Sequence, residues 1–137
     1  MRDKRRIKIL MSKAGLDGHD HGVKVLTLAL RDEGYEVIYT GLRQTPEAIV
    51  ESAIQEGVDV IGISCLTGNH KFLCGEVIKL LKEREATEII VILGGIIPKA
   101  DIPYLKKIGV KATFGPGSRI ADIARFIREN GRASQAV

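Results

Sequence analysis

The residues of this 137-residue chain best suited to chemistry fall between 12 and 22, in the run Ser12-Lys13-Ala14-Gly15-Leu16-Asp17-Gly18-His19-Asp20-His21-Gly22. His19 carries an imidazole two residues after the carboxylate of Asp17. A carboxylate so placed can pin one ring nitrogen while the other points at a metal, which fixes the tautomer and raises the basicity of the ligand. Lys13 can in turn pair with Asp17 and tune the proton on the couple. Two other readings stand beside this one. Asp17 or Asp20 can simply cap a helix and leave the histidines solvated, or a protein-held metal ion can use Asp17, His19, Asp20 and His21. The second requires extended backbone, because side chains two apart on a helix diverge by about 200°.

These residues need a scaffold, and the apolar pattern supplies one. Short β-branched runs over 7–11, 36–39, 58–64, 89–93 and 112–114 read as strands, and segments of helical period over 21–34, 46–56, 71–85, 101–108 and 119–130 lie between and after them. The second helix is the most fully signalled. Thr45 can N-cap it, Pro46 suits the first helical position, Glu47 suits the positive end of the dipole and Gly57 can close the carboxyl end. Ile49, Val50, Ala53 and Ile54 form its apolar face.

Strands one, three and four are continuously apolar, as strands covered on both faces must be, whereas two and five read as edges. Right-handed crossovers then favour a single α/β domain of flavodoxin-like, Rossmann-like type, a doubly wound five-stranded parallel sheet of order 2-1-3-4-5 with helices on both faces. Ligands of such sheets bind beyond the carboxyl ends of the strands. That rule selects the loops at 12–22, 64–70, 94–99 and 115–118. The first is long for a strand-to-helix connection, which usually takes about 2–6 residues.

With the loops in place, Asp17-x-His19-x-x-Gly22 after strand one, Ser64-x-Leu66 after strand three and Gly94-Gly95 after strand four together resemble the cobalamin-binding domain family. The stretch KAGLDGHDHG, with GPGS at 115–118, looks more narrowly like the methylmalonyl-CoA mutase group of acyl-CoA mutases. The likeness covers about 7–128.

The resemblance implies that the dimethylbenzimidazole base leaves cobalt, that His19 takes its place as lower axial ligand, and that the nucleotide tail extends into the domain. Asp17 matches the carboxylate behind that histidine and Lys13 the lysine beyond it. Gly18, Asp20 and Gly22 complete the loop. Ser64 matches the serine that hydrogen-bonds the displaced base, and Leu66 packs beside it. Gly94 and Gly95 match the glycines that let the tail lie against backbone, while Gly115 and Ser118 match the loop at its nucleotide end. A tail entering a sheet needs glycine where a side chain would block it, and a buried base nitrogen needs a hydroxyl donor. Turn geometry and strand-end capping are the plainer roles for the same glycines and Ser64.

Two positions depart from the group's pattern: His21 stands where arginine is common, and Cys65 where a small serine is. His70 reads as a polar residue at a helix start and Cys74 as a helix-face residue.

The resemblance further implies adenosylcobalamin as cofactor and a radical 1,2-rearrangement of an acyl-CoA begun by cobalt-carbon homolysis. A separate large barrel subunit would hold the substrate, giving a heterodimer or heterotetramer in which this chain is inactive alone. One alternative is the corrinoid protein of a methyltransferase system, which shares the Asp-x-His-x-x-Gly motif but usually carries a helical domain ahead of it. A receiver-like signalling module is another. It would want acidic residues where the chain has Ser12-Lys13 and Ser64. A flavodoxin-like electron carrier would want a hydroxyl-rich phosphate loop and flanking aromatics.

Composition restricts the partners. Five of the 21 basic and one of the 17 acidic residues lie within residues 1–8, so this octamer supplies the whole net charge of +4 and the rest of the chain is balanced. An aromatic content of 4% leaves little to stack on nucleic acid. The two cysteines show neither metal-site spacing nor a disulfide framework, and the longest apolar runs are too short to cross a bilayer. A reduced, cytoplasmic setting is the simplest expectation. The division expected is a basic leader over 1–6, a cobalamin-binding domain over 7–130 and a flexible tail over 131–137.

Overall fold

The computed structural model describes residues 6–13, 21–40, 45–65, 70–115 and 117–131. Five strands, β1 (Lys8–Lys13), β2 (Glu36–Tyr39), β3 (Val60–Ser64), β4 (Ile90–Gly94) and β5 (Ala112–Phe114), form one parallel sheet in the order β2-β1-β3-β4-β5. Five helices alternate with them, α1 (His21–Asp32), α2 (Pro46–Glu56), α3 (His70–Glu83), α4 (Ile102–Ile108) and α5 (Ile120–Gly131). The expected strand order and alternation are therefore observed. No helix among the described residues is long and apolar enough to cross a membrane.

The sheet is covered on both faces, which is why its central strands can be continuously apolar. Residues of α2, α3 and α4, among them Ile49, Val50, Val77, Leu81 and Leu105, pack against Leu10, Ile61, Ile63 and Leu93. The opposite layer is α1 and α5, whose Leu30, Ile123, Ala124 and Ile127 meet Ile9, Met11, Val60 and Ile92. Successive residues of each inner strand thus feed two different cores. Ile9, Leu10, Ile61 and Leu93 are all fully buried, and each such side chain contributes about 1.5–3 kcal/mol of burial free energy.

Local chemistry fixes the element ends. Thr45 Oγ1 accepts from the Ala48 backbone N–H at 3.1 Å, Pro46 opens α2, and Gly57 closes it with φ 66°. The amino end of the sheet is pinned by Asp59, which accepts from the Lys8 backbone N–H at 2.9 Å, while Lys8 Nζ donates to the Glu56 carbonyl at 2.8 Å. Nearby, the buried Tyr35 hydroxyl donates to the Ala124 carbonyl at 2.7 Å.

The fourth helix departs from expectation. Residues Lys99–Asp101 form a 3-10 turn and α4 starts only at Ile102, with Pro103 in its first turn. Pro98 precedes the turn with extended backbone, φ −59° and ψ 137°. Proline at both ends makes this connection a tightened step rather than a continuous helix.

Candidate functional site

Of the residues singled out in the sequence, those that are described, Lys13, Gly22, Ser64, Gly94, Gly95, Gly115 and Ser118, lie at the carboxyl edge of the sheet. Lys13 ends β1 opposite Ser64 of β3, Ser64 lies opposite Gly94 of β4, and Gly94 lies opposite Phe114 of β5. One register row across four strands therefore holds Lys13, Ser64 and Gly94, with Gly95 and Gly115 one residue beyond it. Alternation from Val60 to Ser64 and from Ile92 to Gly94 puts Ser64 and Gly94 on the face covered by α1 and α5. Gly22 lies in the first turn of α1, at this same end of the domain. Asp17, Gly18, His19, Asp20 and Leu66 lie outside the described residues, as does all of the tail expected at 131–137 except Gly131, which ends α5.

The row is low in side-chain bulk beyond β3. A Cβ on Gly115 would meet nothing within 4 Å, and one on Gly94 would meet only the Phe114 carbonyl oxygen, at 3.7 Å. Ser118 is exposed and its backbone N–H donates to the Gly115 carbonyl at 3.2 Å, closing a turn through Gly117 at φ 85°. Ser64 is half-buried, and among the described residues its hydroxyl has no hydrogen-bond partner. Phe114 bounds the row on the β5 side, its ring meeting Phe126 edge to face with centroids 5.8 Å apart.

Gly95 has a different reason to be glycine. Its φ is 138°, and an added Cβ would run into the carbonyl oxygen of Cys65. The ends of β3 and β4 are in close backbone contact here: the Cys65 N–H donates to the Gly94 carbonyl and the Gly95 N–H to the Phe114 carbonyl, each at 3.1 Å.

Ser12, at the end of β1, is fully buried, with its hydroxyl 2.8 Å from that of Thr40. It ties β1 to the chain leaving β2 and does not face the row. Cys65 and Cys74 are both buried. Burial, with a further contribution from Cys65, pushes the Cys74 thiol up to about 12, so it stays neutral and unreactive near pH 7.

Sequence reasoning placed His70 at a helix start but missed its environment. The residue is 2% exposed, and its Nε2 donates to Asp101 Oδ2 at 2.8 Å. Lys71 Nζ lies 3.4 Å from the other carboxylate oxygen and 5.6 Å from the centroid of the Tyr104 ring. The partners are 31 positions apart, so no periodicity announces them. The available signal was topological, since both follow neighbouring strands at one sheet edge.

The hydrogen bond from His70, reinforced by Lys71, holds the Asp101 carboxyl below its ordinary range. A depressed folded-state value means that the pair's stabilisation is present above the ordinary carboxylate range and is lost as pH falls through the folded value. Urea unfolding should therefore show stability falling on acidification below about pH 4, with a smaller fall in Asp101→Asn. Equal acid slopes for the two proteins would contradict this assignment.

Comparisons with known proteins identify the family and the fold. The model of the B12 binding domain matches residues 7–125. The 2-hydroxyisobutanoyl-CoA mutase small subunit of Aquincola tertiaricarbonis is 50% identical over 109 residues, covering 80% of this chain and 80% of that one. A methylmalonyl-CoA mutase of Cereibacter sphaeroides is 47% identical over 123 residues, which are 90% of this chain but only 17% of the larger protein. Among solved structures, the monomethylamine corrinoid protein of Methanosarcina barkeri superposes with a TM-score of 0.76 at 21% identity, over 92% of this chain and 58% of that one, and so shares the fold. With the family model covering nearly the whole chain, this protein belongs to the B12-binding domain family.

Proposed function

We propose that the chain is the cobalamin-binding subunit of an adenosylcobalamin-dependent acyl-CoA mutase of the methylmalonyl-CoA mutase type, holding the cofactor with His19 as lower axial ligand. The observation that carries this reading is the row at the carboxyl edge, where Ser64, whose hydroxyl has no hydrogen-bond partner among the described residues, adjoins Gly94, and where added side chains at Gly94 and Gly115 would meet little or nothing. An extended nucleotide tail fits such a step, because its sugar and phosphate can approach backbone directly. Ser64 would supply the hydroxyl donor for the displaced base. Gly94 and Gly95 would pass the tail along the end of β4, and Gly115 with Ser118 would bound its far end. Ile96 and Phe72, 66% and 60% exposed, add large apolar surface at this end of the domain for a macrocycle or partner to cover.

Bound adenosylcobalamin would supply the carbon radical for a carbon-skeleton rearrangement. The chain's own residues hold and orient. Asp17 would fix the His19 tautomer by accepting from one ring nitrogen, and Lys13, whose backbone ends β1 opposite Ser64, would set the charge behind that couple. The acyl-CoA would lie on a separate large subunit, as the small-subunit relative suggests, and that subunit would select the substrate in a reduced cytoplasmic setting. The folded unit over 7–130 would thus be a cofactor module, inactive without its partner.

The direct test is an absorption titration with adenosylcobalamin. The expected result is saturable binding at one equivalent, with the spectrum of a cobalamin whose own base has left cobalt. A spectrum unchanged from that of the free cofactor would refute the reading. Co-purification of a methyltransferase rather than an acyl-CoA mutase large subunit would instead overturn the reaction class.

A further inference from the structure

We infer that the pair formed by the buried His70 and the half-buried Asp101 is a positioning clamp for the cofactor slot, fixing the spacing of the two strand ends that carry Ser64 and Gly94-Gly95. The inference rests on the cobalamin-binding reading and extends it to two residues outside the register row. His70 opens α3, the first helix after Ser64 and Cys65, and Asp101 ends the 3-10 turn that follows Gly94 and Gly95. Their 2.8 Å bond joins the two connections on their far side. On the near side, the Cys65 N–H donates to the Gly94 carbonyl at 3.1 Å, with Gly95 packed directly on the Cys65 carbonyl. The start of α3 and the 3-10 turn are thus tied to each other in addition to the backbone contact at Cys65 and Gly94, and the clamp would act on the gap between the Ser64 hydroxyl and the glycine backbone through these two elements.

Stability alone is a poor reason for this pair. A part-buried polar contact typically gains little over an apolar pair of the same volume, but its hydrogen bond demands a narrower geometry. The histidine is also only half satisfied: its side chain is 3% exposed, and Nδ1 has no hydrogen-bond partner among the described residues. An apolar residue would fill the space without that cost. The pair is anchored by Lys71 on the second carboxylate oxygen at 3.4 Å, so Asp101 is oriented as well as neutralised. His70 and Asp101 are positioning residues, acting on the cofactor through the loops they hold.

The test compares adenosylcobalamin affinity and urea stability for the full chain and four variants. His70→Ala and Asp101→Ala should each weaken binding about fivefold to tenfold, the size of effect expected when coupling to a site is lost. His70→Gln, whose amide nitrogen can reach the place of Nε2, should stay within about twofold of wild type. Tyr35→Phe serves as the control, because it removes a buried hydrogen bond at the opposite end of the sheet and should lower stability without changing affinity. Asp101 is 19% exposed and tolerates truncation better than the enclosed imidazole, which keeps the test decisive where His70→Ala does not fold. Wild-type affinity in Asp101→Ala, or no recovery in His70→Gln, overturns the clamp and leaves the functional reading standing. A weakened Tyr35→Phe, tracking its stability loss, does the same. A wild-type chain that fails to bind removes the functional reading itself.

Discussion

Replacing His19 with alanine should lower adenosylcobalamin affinity by at least about 100-fold, since even residues that merely support a ligand typically contribute 10–100-fold. Mutase activity reconstituted with a large subunit should fall to background. The physical reason is that a cobalamin whose base has been displaced retains no lower nitrogen ligand unless the protein provides one. Labelling the protein's histidines with nitrogen-15 gives a direct check. In the paramagnetic cobalt(II) form, the hyperfine splitting from the lower ligand should change with the label in wild type and lose that sensitivity in His19→Ala. Splitting that ignores the label would mean that the cofactor's own base is still bound, and the proposed role of His19 would fail. Asp17→Asn should be milder, because it keeps an acceptor near the ring while removing the charge that raises its basicity.

The second large effect is on folding. Gly95→Ala should cost about 3 kcal/mol or more, combining a backbone region closed to side chains with a collision, and should lower the melting temperature by roughly 10 °C for a domain of this size. The new Cβ would strike the Cys65 carbonyl, whose residue is held in place by its own bond to Gly94. Gly115→Ala offers the contrast. Its Cβ enters open space, so stability should change by no more than about 0.5 kcal/mol, while cobalamin affinity should fall because the methyl group occupies the proposed path of the tail. Calorimetry on the two apo variants, followed by titration of the folded ones, separates the roles. A stable Gly95→Ala would show that the β3 and β4 ends can move apart, and unchanged binding by Gly115→Ala would move the tail off that loop.

These glycines illustrate what was legible in the sequence and what was not. The sheet order followed from apolar continuity, since VIGIS and IIVIL can only be strands covered on both faces, and α2 followed from Thr45, Pro46 and Gly57, whose roles are local. Ser64 and Gly94 reached the right edge by the same logic, and the register then placed them opposite each other. The individual reason for Gly95 was invisible, because it depends on a carbonyl 30 residues earlier in the chain. The burial of His70 was missed for the same cause: a histidine at a helix start is usually solvated, and only the approach of Asp101 from the next crossover makes it an interior residue. The two prolines around Lys99–Asp101 were a readable signal for the 3-10 step that replaced the expected helix start. Pairings across crossovers have no period, so they surface only when the topology is known.

The register row has a consequence for how the protein is made. Lys13, Ser64, Gly94 and Phe114 come from strands spread over most of the chain, and the row joins them through parallel pairings alone. Parallel pairings are long-range and form late, after the intervening helices have closed their loops. During synthesis the first three strands can associate while the last is still unmade, but the Gly95 N–H has no Phe114 carbonyl to meet until β5 arrives. A chain interrupted before β5 would therefore keep much of its core and lack the far wall of the slot. Ligand capture would then discriminate finished molecules from nearly finished ones, and a ligand that binds only the closed row would add its binding energy to the complete fold and to none of its precursors.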